Sequence, residues 1–261
     1  MGGDLDLRSA AADVRPGLTL VGVGPGDPEL LTVAAVRAIA AATVVAYPVA
    51  EPGAEGMAAR IAAPWISPGQ RHLPLQFPMV EAAAPRRHAW HAAADALAAE
   101  VAAGLPVVLL CEGDASLYAS CSYVLLALAE RVPACSLRVV PGIPAVAAAA
   151  AAASSLGMPW PLALQQEGLL IRPTPEEPAA LEALLDWASA SGTVLALLKL
   201  GRRWRWVQPL LADRGLLPGA LFARRVGWTD QLLAVADRVP AEAQPYFSLL
   251  LIRQSWPEVL P

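Results

Sequence analysis

Turns that contain glycine follow three apolar segments of the chain, two of them with acidic residues, and these residue types suit turns that hold a ligand. The turns are GVGPGDP at residues 22–28, CEGDASLY at 111–118 and PGIP at 141–144. Glycine permits backbone angles and a close approach of a ligand that a side chain would block. In open α/β sheets, ligands bind at turns that follow the carboxyl ends of the strands. These three turns are therefore where chemistry is expected.

The first turn, taken alone, leaves two interpretations open. Its glycines do not match the dinucleotide-binding motif G-x-G-x-x-G, because Asp27 and Pro28 stand where the third glycine is expected. It also lacks the Lys-Ser/Thr pair that ends a P-loop. It is compatible with a ligand-facing turn or with a tight strand-to-helix connection that does no chemistry. Asp27 is the predicted helix cap, with Pro28 at the first helical position. Since three such turns would share one edge of a parallel sheet, a ligand crevice is the preferred interpretation.

The elements that must position these turns alternate between apolar strands and helices. The pattern predicts strands at 18–21, 43–47, 105–110 and 137–140, and helices at 29–42, 57–63, 86–104, 120–131 and along the alanine run after Pro144. Residues 70–79 suit an edge strand or an irregular loop. Strand–helix–strand alternation at this spacing implies parallel strands with right-handed crossovers.

The last third of the chain predicts a second α/β layer with a mixed sheet. Its predicted elements are helices at 177–189 and 204–214, a small helix near Leu232, and strands at 193–200, 220–225 and 246–253. The predicted organisation is a loose tail at 1–16, an N-terminal α/β domain at 17–156, a linker at 157–178 and a C-terminal α/β domain at 179–261.

Composition excludes several classes of protein. Hydrophobic residues make up 56% of the 261, yet the longest apolar tract, 143–153, is mostly alanine and shorter than the roughly 20 residues of a membrane span. The N-terminus lacks the apolar core of a signal peptide, and a net charge of −4 argues against nucleic acid as a partner. Three cysteines without C-x-x-C spacing predict a reducing cytoplasm and neither a disulfide framework nor a zinc site. His88 and His91 have no third ligand nearby, so no metal site is predicted.

Motifs along nearly the whole chain, about 18–252, resemble those of the tetrapyrrole (corrin) methylases. They are, in order, GVGPGDPELLT, VVAYP, LQFPM, CEGD-x-x-LY, VVPG, LLKLGR and PYFSLLLI. AYP, FPM, LKLGR and PYFSL together resemble the branch that methylates C20 of precorrin-2, or of cobalt-precorrin-2, in cobalamin biosynthesis. The resemblance implies two αβα domains, S-adenosylmethionine in a cleft between them, a homodimer and a carboxylate-rich tetrapyrrole substrate. A methylase of another tetrapyrrole or position, and a non-catalytic tetrapyrrole-binding subunit, are the alternatives.

The resemblance also implies which residues form the site. The residues implied for the methyl donor are Pro25, Gly113, Asp114, Ala115, Tyr118, Pro141, Gly142, Leu200, Tyr246 and Phe247. Those implied for the substrate are Gly24, Gly26, Asp27, Arg87, Arg202 and Arg225, the arginines because a planar guanidinium binds carboxylates with two hydrogen bonds. The wider set of arginines adds Arg71, Arg86, Arg203, Arg205 and Arg224. Trp204, Trp206 and Trp228 are expected either beside the macrocycle or in the core.

The sequence does not single out a proton acceptor for the reaction. Transfer of a methyl group to an electron-rich carbon requires mainly alignment of the two reactants. Asp114 and Tyr47 are the candidates, and Glu112, His72 and His88 are the other ionisable residues nearby. Asp114 is expected to anchor its turn or the donor rather than to take a proton. The sequence departs from the family at Ala115, where proline is usual, and at Pro144 and Ala145, where small hydroxyl residues are usual.

Overall fold

The computed structural model describes residues 16–256, and its first half is built on a five-stranded sheet. The strands are β1 (Gly17–Gly22), β2 (Val44–Val49), β3 (Arg71–Gln76), β4 (Pro106–Cys111) and β5 (Leu137–Val140). Their order in the sheet is β3-β2-β4-β1-β5, and every neighbouring pair is parallel. The side chains of β1 and β4 are almost all buried and, apart from Thr19, apolar, as the centre of a parallel sheet requires. The prediction of a parallel N-terminal sheet is confirmed.

Four helices accompany this sheet. They are α1 (Val33–Ala41), α2 (Met57–Ala62), α3 (Ala83–Ala102) and α4 (Cys121–Leu128). Residues Ala94 and Leu97 of α3 and Val124 of α4 pack in one core with Leu20 and Leu109 of the central strands. This packing fixes the positions of the strands and therefore of their carboxyl ends.

The second half of the described chain has a mixed sheet, as predicted. Its elements are α5 (Ala145–Ala152), β6 (Gly168–Pro173), α6 (Pro178–Ala190), β7 (Thr193–Leu198), α7 (Trp204–Asp213), β8 (Leu221–Arg224), β9 (Leu232–Val235) and β10 (Ser248–Ile252). The strand order is β6-β7-β10-β8-β9; β6 and β7 are parallel, and the other neighbours are antiparallel. Trp204 and Phe222 are fully buried at the centre of its core.

Contacts divide the chain into two compact units, Met1–Pro144 and Ala145–Pro261. Strand β6 lies inside the range 157–178, for which the sequence predicts a linker, and α5 falls in the second unit rather than the first. The sequence did not predict β6 because its segment contains several prolines, which an edge strand tolerates and a central strand does not. In the part of the chain described, 16–256, no helix has the length and apolar character to span a membrane.

Three predicted elements differ in the structure. The predicted helix 29–42 is a short 3-10 turn, Pro28–Leu30, followed by α1, because the Thr32 hydroxyl caps a new helix by accepting from the Ala35 N–H at 3.1 Å. Strand β2 runs through Pro48, which lies beyond its pairing with β4. The small helix predicted near Leu232 is wrong, because those residues form β9. The periodicity of so short an apolar segment does not distinguish a helix from a strand, and pairing with β8 determines its structure.

Candidate functional site

The three turns singled out in the sequence lie together at the carboxyl edge of the first sheet. Strand β1 lies between β4 and β5, so the turns that follow these strands are neighbours. Gly24 and Gly113 are joined by two backbone hydrogen bonds: the Gly113 N–H donates to the Gly24 carbonyl at 2.8 Å, and the Gly24 N–H donates to the Gly113 carbonyl at 3.2 Å. The first two turns therefore form one rigid backbone surface.

Asp114 joins the second turn to the third. One carboxylate oxygen accepts the Gly142 N–H at 2.9 Å, and the other accepts the Ser116 N–H at 2.9 Å and the Ser116 hydroxyl. Burial by itself would raise the pKa of Asp114, but these hydrogen bonds and one from the Ala115 N–H outweigh it and lower the pKa below its ordinary value of 3.8. Asp114 is therefore a fixed anion at neutral pH, and its oxygens are occupied by the turns.

Glycine is required where the third turn meets the other two. A Cβ built on Gly142 would lie 2.2 Å from the Gly113 carbonyl oxygen, and one on Gly22 would lie 2.6 Å from the Gly142 nitrogen. A Cβ on Gly113, in contrast, would meet nothing within 4 Å, although its φ of +67° favours glycine. The backbones are thus in contact on one side, and the turn is open beside Gly113.

Replacing Gly142 tests this contact. We expect Gly142→Ala to lower the free energy of unfolding by about 1–3 kcal/mol, since the new methyl group overpacks backbone that cannot move aside. Gly113→Ala has room for its methyl group and should cost only about 1–2 kcal/mol, for the left-handed backbone. Urea denaturation of the two variants measures the difference. Equal stability of Gly142→Ala and the unaltered protein would contradict the close contact.

Glu112 sits beside the open part of the second turn and is half-buried. It has no hydrogen bond or ion pair to another residue in the range 16–256, and burial raises the pKa of its carboxyl from 4.5 to about 7. The hydrogen bond with Cys111 and burial raise the pKa of the Cys121 thiol, and the Glu112 carboxyl adds a smaller contribution in the same direction. Glu112 is thus part neutral and part ionised near pH 7.

Glu112→Gln is expected to stabilise the protein at alkaline pH. Because the folded-state pKa lies above 4.5, the ionised carboxylate disfavours the fold at pH 8, and this cost disappears as the pH falls below about 4.5. The gain from glutamine should be about 2 kcal/mol at pH 8, allowing for partial exposure, and close to zero at pH 4.5. Urea denaturation at these two pH values measures it. A gain that does not depend on pH would show that Glu112 does not titrate as described.

The remaining predicted residues of the first unit are placed differently. Tyr118 is exposed and has φ of +54°, whereas Ala115 is buried in the core and offers a ligand only its backbone. The Tyr47 hydroxyl, on β2, lies 3.3 Å from the His72 Nδ1 on β3. Arg87, like its neighbour His88, is exposed on α3, and no contact joins it to the three turns among the described residues.

The other predicted residues of the first unit lie in the turns: Pro25, Gly26, Asp27 and Pro141. The Asp27 carboxylate caps its 3-10 turn by accepting the Glu29 N–H at 2.8 Å, as predicted.

In the second unit, the ends of β7 and β8 and the entry to β10 come together at one edge of the mixed sheet. The Leu200 N–H donates to the Ser248 carbonyl at 3.2 Å, and the Arg225 N–H donates to the Phe247 carbonyl at 2.9 Å. The Gly201 N–H donates to the Ser248 Oγ at 3.2 Å. This edge gathers the predicted residues Leu200, Arg225 and Phe247, although the Leu200 side chain is wholly buried in the core.

Two cations lie against aromatic rings at this second edge. The Lys199 Nζ lies 5.5 Å from the centre of the Tyr246 ring, and the Arg225 guanidinium carbon lies 4.9 Å from that of Trp228. The Arg225 Nε also donates to the Asp230 Oδ1 at 2.8 Å. Arg202 is exposed in the turn that follows β7. Trp204 is not available to a ligand, because it is a core residue whose Nε1 donates to the Pro240 carbonyl at 2.9 Å.

Strained backbone marks the two edges. Among the described residues, four that are not glycine have positive φ, and three of them are Tyr118, Lys199 and Arg225. Lys199 and Arg225 each directly follow the last residue of a strand, β7 and β8. Strain of this kind costs about 1–3 kcal/mol and concentrates at ligand sites. The positive φ of Lys199 could not be predicted, because it has no local sequence signal.

Comparison with known proteins agrees with this architecture. A family model described as Tetrapyrrole (Corrin/Porphyrin) Methylases matches residues 17–238. A precorrin-2 C(20)-methyltransferase of a Sinorhizobium species is 34% identical over 241 residues, which cover 89% of this chain and 93% of the relative. A cobalt-precorrin-2 C(20)-methyltransferase of Salmonella typhimurium is 30% identical over 246 residues, covering 92% and 97%.

A solved structure extends the comparison to the fold. The crystal structure of the methyltransferase CobJ superposes with a TM-score of 0.61 at 27% sequence identity, and the match covers 91% of this chain and 93% of CobJ. The family match runs from β1 into the residues that follow β9 and so includes every strand of both sheets except β10. The chain therefore belongs to the tetrapyrrole (corrin/porphyrin) methylases.

Proposed function

We propose that the protein transfers a methyl group from S-adenosylmethionine to C20 of precorrin-2, or of its cobalt form, in cobalamin biosynthesis. The observation that carries the proposal is the single rigid cradle that three strand-end turns form at the carboxyl edge of the first sheet. The relatives from Sinorhizobium and Salmonella, both named as C20-methyltransferases, support this substrate over other tetrapyrroles.

The cradle suits the methyl donor. The turn is open beside Gly113, where a Cβ would meet nothing within 4 Å, so a ligand can approach the backbone closely there. Pro25, Gly113, Tyr118 and Gly142 would hold the donor there, with Asp114 fixing the turns. The donor supplies a methyl group on a positively charged sulfur, and the protein's part is to orient it. Leu200, Tyr246 and Phe247 stay predicted as further donor contacts.

Cationic side chains of the second unit suit the substrate. Precorrin-2 carries many carboxylates, and Lys199, Arg202 and Arg225 form a group of cations at one edge of the mixed sheet. Arginine can grip a carboxylate with two hydrogen bonds, and the aromatic rings of Tyr246 and Trp228 beside these cations offer surfaces for a flat macrocycle. Charge and aromatic surface therefore support the same class of substrate.

The residues differ in how well they suit proton transfer. Asp114 is unsuited as an acceptor, because both its oxygens already accept hydrogen bonds and its pKa is low. Glu112 has a pKa of about 7 and no partner among the described residues, which suits an acceptor that works near neutral pH. Tyr47 stays a candidate.

Transfer of a labelled methyl group tests the proposal. Purified protein is incubated with S-adenosylmethionine carrying ¹³C in its methyl group and with precorrin-2 or cobalt-precorrin-2, and the product is examined by NMR. We expect the label at C20. Label at another carbon would identify a different methylase, and binding of the donor in a calorimeter without any transfer would favour a non-catalytic subunit.

We also propose that the protein acts as a homodimer, as its resemblance to the family implies. Sedimentation equilibrium of the full chain gives the assembly directly. A single species of 27.2 kDa at micromolar concentration would count against a dimer.

A further inference from the structure

A groove of about 430 Å³ runs along one face of the first sheet, beside helix α1 and apart from the three turns. The strands β1, β4 and β5 form its floor, and α1 forms one wall through Ala34, Ala38 and Ala41. These alanines recur at helical spacing, so the wall is smooth and apolar. The volume lies in the range of pockets that hold small molecules, about 300–1,000 Å³.

The strand register brings polar groups into this apolar floor. Thr19 of β1 pairs with Val108 of β4 on one side and with Arg138 of β5 on the other, so the three side chains share a face. Thr19 is the polar side chain of a strand that is otherwise apolar, and it lines the groove. The register therefore places a hydroxyl between an apolar surface and a cation.

A second cation lies across the groove. Arg37 of α1 is half-buried, and its Nε is shielded from water with no acceptor among residues 16–256. Neither Arg37 nor Arg138 forms an ion pair with another described residue, and the lining contains no acidic side chain. Arg37 is thus a half-buried guanidinium without a counter-ion beside an apolar surface, which an anion would stabilise, and the exposed Arg138 adds a second positive charge to the lining.

We propose that this groove binds a small organic anion, a carboxylate with an apolar body. Arg37 and Arg138 bind the carboxylate, Thr19 donates a hydrogen bond to it, and the apolar body lies against the alanines of α1 and the valine side chains of the sheet. The site is separate from the one proposed for methyl transfer, because it lies on the face of the sheet and none of the residues of the three turns lines it, apart from the end of β5 that leads into the third turn.

Calorimetric titration with octanoate, using the full chain, tests the proposal. We expect one octanoate per chain, with n-octanol binding at least tenfold more weakly because it lacks the charge. Arg37→Gln and Arg138→Gln should each weaken octanoate binding about tenfold, the usual effect of losing a hydrogen bond to a charged group. Ala38→Phe should abolish binding by filling the groove. The matched control is Arg60→Gln, an exposed arginine of the same unit that pairs with Glu55 at 3.7 Å; it should bind octanoate as the unaltered protein does.

Three outcomes would overturn the proposal. Octanol that binds as tightly as octanoate would show that the arginines do not contribute. Equal octanoate affinity in Arg37→Gln, Arg138→Gln and Arg60→Gln would place the binding elsewhere. Absence of octanoate binding together with a lower dimer fraction in Arg138→Gln by sedimentation would identify the groove as an interface between copies of the chain. Circular dichroism of each variant establishes that it is folded.

Discussion

Asp114→Ala is expected to weaken binding of the methyl donor about 100-fold and to reduce methyl transfer at least as much. The carboxylate holds the Gly142 N–H on one oxygen and the Ser116 N–H on the other. Its removal leaves two amide groups without their acceptor and frees the third turn from the second. Binding of the donor must then reassemble the released turns without two hydrogen bonds to a charged group, and a cost of about 3 kcal/mol for this corresponds to a factor of about 100 in affinity.

Calorimetric titration with S-adenosylhomocysteine measures this effect without requiring a substrate. Ser116→Ala is the matched control, because it removes a hydroxyl from the same carboxylate but keeps both backbone bonds, and it should weaken binding less than about tenfold. Asp114→Asn should lie between the two, since its single remaining oxygen can accept only one of the two amides well. Normal donor affinity in Asp114→Ala would show that the three turns do not form the donor site.

The local features of this site could be predicted from the sequence. The glycines, the apolar runs before them and the helical patterns after them are adjacent in the chain, and parallel strands bring their ends to one edge. The bond between Asp114 and Gly142 could not be predicted, because it joins residues 28 positions apart whose separation depends on the register of β1 with β4 and β5. The sequence thus located the turns but not what connects them.

Elements that depend on distant partners were the ones the sequence missed. Strand β6 pairs with β7, and β9 with β8, and both lie at the edges of the mixed sheet. Edge strands are short, tolerate proline and need no alternating pattern on both faces, so local composition does not distinguish them from linkers or short helices. The strained φ of Lys199 is likewise imposed by the hydrogen bonds of its neighbours with the entry to β10.

A buried ion pair in the second unit also escaped the sequence, although the sequence places Arg253 at the end of a strand. The Arg253 side chain is 1% exposed and that of Glu167 11%. Arg253 Nε donates to Glu167 Oε1 at 3.0 Å, and its Nη2 donates to Glu167 Oε2 at 2.7 Å and to the Pro161 carbonyl at 2.9 Å. The guanidinium carbon lies 5.3 Å from the Trp160 ring centre and 4.2 Å from that of Trp256. Residues before β6 are thereby fastened to the residue that follows β10.

Arg253→Met is expected to destabilise the second unit by about 3–5 kcal/mol, because it leaves the Glu167 carboxylate buried without its cation. The double variant Arg253→Met/Glu167→Gln should recover a large part of this loss, since no uncompensated charge remains. Urea denaturation followed by tryptophan fluorescence measures both; Trp160 and Trp256, beside the ion pair, contribute to the signal together with the other tryptophans of the chain. Arg172→Met, an exposed arginine of β6, is the matched control and should change stability by less than about 0.5 kcal/mol. If Arg253→Met unfolded at the same urea concentration as this control, the ion pair would contribute nothing to the fold and β6 would be held by its pairing with β7 alone.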